Sequence, residues 1–236
     1  MTLRHRTLGL ALAALLLGAC AGEPTIQTGD DAETIMGNLN RVDNARVALA
    51  YVDPEADYSR YTRVLIEPLD LDNVEIVQPD NMNSMVNRYN REWELSDADK
   101  ATLQAAFDEA MRRELTAGGL FEIASASGDD VLVIDAMLTR LAPSASRDDM
   151  TARTSARSRV YTQGAGSISI AIAFGDGDSG EVLAIIKDTR SNDNGAWGLN
   201  NSVTNMAEVR RTFTSWAKRI HDGLAALRQR REAGGA

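Results

Sequence analysis

The sequence is poor in the residues that most often carry chemistry. Among 236 residues there is one cysteine, Cys20, and there are two histidines, His5 and His221. With a single thiol the chain closes no internal disulfide, whatever its redox compartment. Cysteine-based zinc sites go with it, and two isolated histidines build no His cluster of metal-ligand spacing. The P-loop and the Gly-x-Ser-x-Gly nucleophile elbow do not occur. Lysine appears three times, at Lys100, Lys187 and Lys218. Acids outnumber bases, 34 Asp+Glu against 25 Lys+Arg. That balance argues against general nucleic-acid binding and against docking on anionic headgroups.

Long apolar runs are also missing, with one short exception. Leu8 to Ala19 is an apolar stretch of 12 residues behind a basic Arg4-His5-Arg6. A membrane span needs about 20 such residues. The length and flanks suit a secretory signal instead. Leu17-Gly18-Ala19-Cys20 matches the bacterial lipobox, in which an aliphatic and two small residues precede the cysteine that is acylated. The expectation is a signal peptide over 1–19 and lipid attachment at Cys20. Two or three acyl chains make a stable anchor where one is marginal. Residue 21 is Ala rather than the Asp of an inner-membrane retention signal. The outer membrane's periplasmic face is therefore the expected address. Without residues 1–19 the chain carries 23 Lys+Arg against 34 Asp+Glu, about −11.

Residues 20–46 read as anchor and flexible tether, because "AGEPTIQTGDDAET" is polar and has no apolar period. A single domain is expected over 47–230, with a disordered tail at 231–236. Tyr61–Leu69 reads as a strand and 78–94 as an Asn-rich loop. Ser96-Asp97-Ala98-Asp99 signals a capped helix start. Leu103, Phe107, Ala110, Met111 and Leu115 form its apolar stripe, with Asp108–Arg112 and Glu109–Arg113 as supporting pairs. Leu120–Ala124 and 130–141 read as strands. Ile168, Ile170, Ile172 and Phe174 alternate with small residues in a half-buried strand, and 181–189 follows across a tight turn. Val209, Phe213, Trp216, Ile220, Leu224 and Leu227 define one face of a long final helix. The four middle strands fall into two close pairs, expected as antiparallel hairpins. The predicted fold is α+β, a two-layer sandwich: a mostly antiparallel sheet carrying two amphipathic helices on one face.

Three motifs invite chemistry and then fail. Asp176-Gly177-Asp178-Ser179-Gly180-Glu181 suggests a calcium loop, but EF-hand positions 5, 6 and 12 are Gly180, Glu181 and Lys187. A hairpin turn explains it. Ser215-Trp216-Ala217-Lys218 matches Ser-x-x-Lys, without the Ser-Asp-Asn and Lys-Thr-Gly elements that accompany it in penicillin-binding proteins. His221 lies one position past the apolar stripe, a boundary residue. No metal and no cofactor are expected. Asp135, inside "VLVIDAML", is a candidate functional carboxylate, since an acid in an apolar strand must be paired, solvated or used. Arg147, Arg153 and Arg157 in the Ser/Thr/Arg-rich segment 144–160 are candidates for a partner-facing loop. The seven Lys/Arg within 208–231 read as a solvated helix face.

Several blocks together carry a family resemblance. They are "YVDPEADYSRYTRVLIEPL" (51–69), "SDADKATLQAAFDEAMRREL" (96–115), "GDSGEVLAIIKDTR" (177–190), and Trp197 followed by "FTSWAKRIHDGLAAL" (213–227). The chain resembles a bacterial lipoprotein family catalogued as domain of unknown function 3313. The resemblance implies an envelope lipoprotein of α/β shape and supplies no catalytic residues. The functional expectation is a non-catalytic, lipid-anchored envelope lipoprotein, a binding or accessory module. Its expected partners are the membrane, through acylated Cys20, and an envelope protein complex or peptidoglycan, with no nucleic acid. The alternative is a periplasmic hydrolase using carboxylates.

Overall fold

In a computed structural model, residues 22–78, 94–143, 161–163, 166–191, 197–199 and 202–234 are described. Everything is organised around one strand, β10 (Gly166–Asp176). Its Ile168, Ile170, Ile172 and Phe174 point to one side and are buried, while Ser and Ala between them point to the other. Period-two alternation of this kind places a strand between a core and a more open face. β10 pairs antiparallel with β8 (Val131–Pro143) and with β11 (Val182–Ser191).

Two bulges adjust this central trio. Register slips between Ser169 and Ile170 against β8, and between Phe174 and Gly175 against β11. At the second slip Leu183 is the extra residue, so both Leu183 and Ala184 are buried in succession. A bulge breaks the strict alternation in this way by inserting one residue into one strand.

The sheet extends on both sides. β11 pairs with β4 (Leu49–Val52), β4 with β3 (Leu39–Asp43), and β3 with β1 (Thr25–Ile26) and β2 (Thr34–Ile35), all antiparallel. Beyond β8 the sheet turns parallel. β5 (Arg63–Ile66) runs alongside β8 and also alongside β7 (Glu122–Ile123), and the short β6 (Glu75–Ile76) runs parallel to the far end of β8. A separate two-stranded sheet pairs β9 (Tyr161–Gln163) with β12 (Trp197–Leu199).

Helices α1 (Asp97–Leu115) and α2 (Ser202–Gly234) pack together over the core side of the sheet. α1 starts as expected. The Ser96 hydroxyl accepts from the Asp99 N–H, and the Asp99 carboxylate accepts from the Ser96 N–H at 3.0 Å. Its five-residue stripe is buried, with Ala106 added. Phe107 meets Phe213 of α2 edge-on at 5.6 Å between ring centroids. Arg112 pairs with Asp108 as expected, whereas Arg113 turns to Glu114 and to Thr214 of α2 rather than to Glu109. The α2 stripe Phe213, Trp216, Ile220 and Leu224 is buried, with Val209 and Leu227 packed at its margins. The α+β two-layer architecture therefore stands.

Several local expectations need correction. The segment read as a tether joins the sheet, because Ile26 and Leu39 are buried there and β1 and β3 pair in register. Polar composition hid this: an edge strand needs few apolar residues when its backbone hydrogen bonds are made by a neighbour. The first close strand pair is not a hairpin. β7 and β8 lie on opposite sides of β5, both parallel to it. The helix α1 between β5 and β7 is a crossover connection, which is what a parallel neighbour requires. Tyr61–Leu69 shortens to Arg63–Ile66, with Tyr58–Arg60 forming a 3-10 turn before it. At the C-terminus α2 runs on to Gly234, through positions expected to be tail. The loop core 79–93 and the segment 144–160 lie outside the described residues.

Candidate functional site

The sequence candidates separate in space. Cys20, Arg147, Arg153 and Arg157 lie outside the described residues. Asp135 is exposed on the β8 face turned away from the helices, opposite Ala173 of β10 and one pleat from the exposed Met137. Solvent, rather than a buried partner, stabilises its charge. His221 sets Nε2 3.2 Å from the Ala117 carbonyl oxygen and Nδ1 3.2 Å from Asp222. Lys218 pairs with Asp222 one turn below, so the Ser-x-x-Lys lysine is engaged in a surface ion pair.

The Asp176 turn is a structural clamp. Asp176 Oδ1 accepts from the N–H groups of Asp178 and Ser179 at 2.9 and 2.7 Å, and from the Ser179 hydroxyl. Its Oδ2 accepts from the Tyr61 hydroxyl at 2.6 Å and faces Arg60 Nη2 at 2.9 Å. Burial pushes the Asp176 carboxyl up, but the Ser179 N–H, the Tyr61 hydroxyl and the remaining donors outweigh it, holding it down at about 2. Burial and the same bond to Asp176 push the Tyr61 phenol up. Gly177 leaves room that a side chain would close, since a Cβ there would sit 2.6 Å from the Val131 carbonyl oxygen. Gly180 supplies a φ of 74° at the exit of the turn.

Gly175, Gly177 and Gly180 also fit a Gly-x-Gly-x-x-Gly spacing, which a reading of this stretch as a hairpin turn passes over. The run joins two antiparallel strands and leads to no helix, so the pyrophosphate-binding helix N-terminus of a dinucleotide site is not there. No group of three or more His, Cys, Asp or Glu side chains placed to hold a metal occurs among the described residues.

A second polar centre was not foreseen. Asp188 of β11 is buried beneath α2. Its Oδ1 accepts from the Ala48 N–H at 2.9 Å, and its Oδ2 accepts from Trp216 Nε1 at 2.7 Å. Arg190 Nε lies 2.7 Å from the same Oδ2, a close approach of opposite charges whose N–H is not aimed along it. Arg190 and Arg219 both donate to the Arg46 carbonyl oxygen. Arg190 thus pairs with this carboxylate, and Arg219 joins the cluster through the Arg46 carbonyl oxygen. Burial lowers the Arg219 pKa, and the neighbouring charges of Arg190 and Arg46 lower it further, against the pull of Asp188. The one signal in the sequence is register. Asp188 falls on the same side of β11 as Ala184 and Ile186, where an apolar residue is the default.

Beside this centre, α2 and the β1–β3–β4 side of the sheet leave a groove of 310 Å³. Ile26, Val52, Phe174, Ile186, Leu224 and Leu227 are among its apolar lining, and Pro24 stands at the N-terminal end of the chain's path along it. Arg46, Arg219 and Asp222 are its charged lining. Sequence reading missed the groove because part of its wall, from Pro24 to Arg46, comes from the segment taken for a tether.

No helix among the described residues is long and apolar enough to cross a membrane. The profile of the family described as "Protein of unknown function (DUF3313)" matches residues 37–220. No curated protein sequence matches the chain. Among solved structures, protein XCC0632 from Xanthomonas campestris, assigned to DUF330, is 9% identical, covering 73% of this chain and 89% of its own, with a TM-score of 0.43. The PelC dodecamer from Paraburkholderia phytofirmans is 10% identical, covering 68% and 89%, with a TM-score of 0.33. The hypothetical protein CT253 from Chlamydia trachomatis is 13% identical, covering 70% and 98%, with a TM-score of 0.30. With TM-scores below 0.5, these neighbours carry no functional inference.

Proposed function

This chain belongs to the DUF3313 family of proteins of unknown function, and from that premise we propose that it is a non-catalytic envelope lipoprotein, anchored by acylated Cys20 at the periplasmic face of the outer membrane, where its domain serves as a binding or accessory module. The observation that carries the reading is the groove beneath α2. Among the described residues it gathers apolar side chains, Arg46, Arg219 and the carboxylate of Asp222 around an open volume. Binding sites are apolar clefts of this kind with a few placed polar groups. Carboxylate hydrolysis needs two acids facing one substrate bond. Here the acids whose protonation is most altered are tied down elsewhere. Asp130 is held low by Arg63 and then Thr62, and Asp176 by its own turn.

Two measurements test the proposal. Cys20→Ser should shift the protein from the membrane fraction to the soluble periplasm, or leave it unprocessed. A fully processed Cys20→Ser protein that still sediments with membranes would mean another anchor. Purified Cys20→Ser chain should show no turnover of peptidoglycan, phospholipid or ester substrates, with or without divalent metal. Turnover that survives repurification and is lost in Asp135→Asn, with the fold intact, would make the protein an enzyme.

A further inference from the structure

The groove has an apolar trough and a cationic rim, and the two call for different parts of one molecule. Among the described residues, its walls between Ile26 and Leu227 offer no hydrogen-bonding side chain apart from the three charged residues already named. Water held in such a space lacks the two to four polar partners it needs, which favours an apolar occupant. The volume of 310 Å³ sits at the lower end of the roughly 300–1,000 Å³ typical of ligand clefts, suited to one flexible chain rather than two.

The rim is unbalanced in charge. Among the described residues, neither Arg46 nor Arg219 has a carboxylate within ion-pair distance. Among the described residues, one N–H of Arg219 is used, on the Arg46 carbonyl oxygen, and no other partner engages the rest of its fork. Asp222 does not neutralise them, because it already pairs with Lys218 and His221. Asp188 already accepts from the Ala48 N–H and Trp216 and pairs with Arg190. A half-buried guanidinium beside other cations gains from an incoming anion, and its planar fork matches a carboxylate in two-pronged geometry.

We propose that the groove binds a single long-chain fatty acid, its acyl chain lying in the trough between α2 and the β1–β3–β4 side of the sheet and its carboxylate at Arg219 and Arg46. The assignment rests on the binding-module reading and names its ligand class.

The test uses the full chain carrying Cys20→Ser, purified without detergent, with cis-parinaric acid as a fluorescent C18 probe. Fluorescence should rise saturably to one probe per chain, and palmitate should displace it. Each two carbons removed from the competitor should weaken displacement about tenfold, from the transfer free energy of a methylene. Hexadecanol, with the same chain and no charge, should compete at least tenfold more weakly than palmitate. Arg46→Gln keeps the backbone carbonyl that Arg190 and Arg219 use and should reduce that preference for palmitate. Ala226→Trp, at an exposed position on the groove wall, should abolish probe binding while the thermal melt is unchanged. No saturable binding, or binding undiminished in a folded Ala226→Trp protein, overturns the proposal. Equal competition by palmitate and hexadecanol overturns the carboxylate site. Binding lost in the acylated protein held in nanodiscs would give the groove to the chain's own anchor and overturn the free fatty acid. Failure of any of these arms leaves the fractionation result untouched, whereas probe altered by the protein and not in a protein-free control would refute the non-catalytic reading.

Discussion

Asp176→Asn isolates the contribution of one buried charge to the fold. Asp176 is 5% exposed and accepts hydrogen bonds from the Asp178 and Ser179 N–H groups, the Ser179 hydroxyl and the Tyr61 hydroxyl. The folded carboxyl titrates at about 2, against an ordinary 3.8. A group depressed on folding stabilises the folded state above its unfolded pKa, and the contribution disappears as pH falls through the folded one. The difference corresponds to about 2 kcal/mol, fully present above about pH 5, reduced to about half near pH 3 and gone below about pH 1. Asparagine preserves size and one acceptor and removes the charge. Its NH2 adds a donor facing Tyr61 or Arg60, a cost that does not vary with pH. Urea unfolding of wild type and Asp176→Asn at pH 7 and pH 3 reads the two parts separately. The gap between the proteins should narrow by about 1 kcal/mol between those pH values. A gap that stays constant across them would show that the charge is not what the clamp depends on.

Trp216→Phe should cost about 1.5–3 kcal/mol, the worth of a hydrogen bond to a buried carboxylate, because Asp188 then loses the indole donor; Trp216→Ala should cost about 3–5 kcal/mol by adding a core cavity. If denaturant midpoints show the two variants equal, Asp188 does not depend on the indole. Gly177→Ala should destabilise the β10–β11 turn, since its Cβ would meet the Val131 carbonyl oxygen at 2.6 Å and the Gly128 carbonyl oxygen at 2.7 Å; an unchanged melting temperature would contradict that close approach. Ser96→Ala should lower stability by about 0.5–2 kcal/mol through loss of the α1 cap, and hydrogen exchange in the first turn of α1 should quicken, against no change if the cap is idle.

The sequence by itself determined the two helices and the central strand. The stripe from Leu103 to Leu115, the stripe from Phe213 to Leu224 and the alternation from Ile168 to Phe174 are local patterns of side-chain period, and all three are buried where the period puts them. The capping box at Ser96 and Asp99 was equally legible, because both partners lie within one helical turn. Only the tertiary structure decided the pairing of β7 with β5, since strand direction depends on where the intervening helix crosses rather than on the strand's own residues. It alone brought Thr25–Asp43 into the sheet, because edge pairing is made by backbone groups that every sequence carries. It alone assembled Ala48, Asp188, Arg190, Trp216 and Arg219 beside the groove, from a loop, a strand and a helix that the chain separates by up to 171 residues. Sites made of distant residues leave no local period to read. A buried acid such as Asp188 is indistinguishable from a surface one until its strand has been placed under a helix.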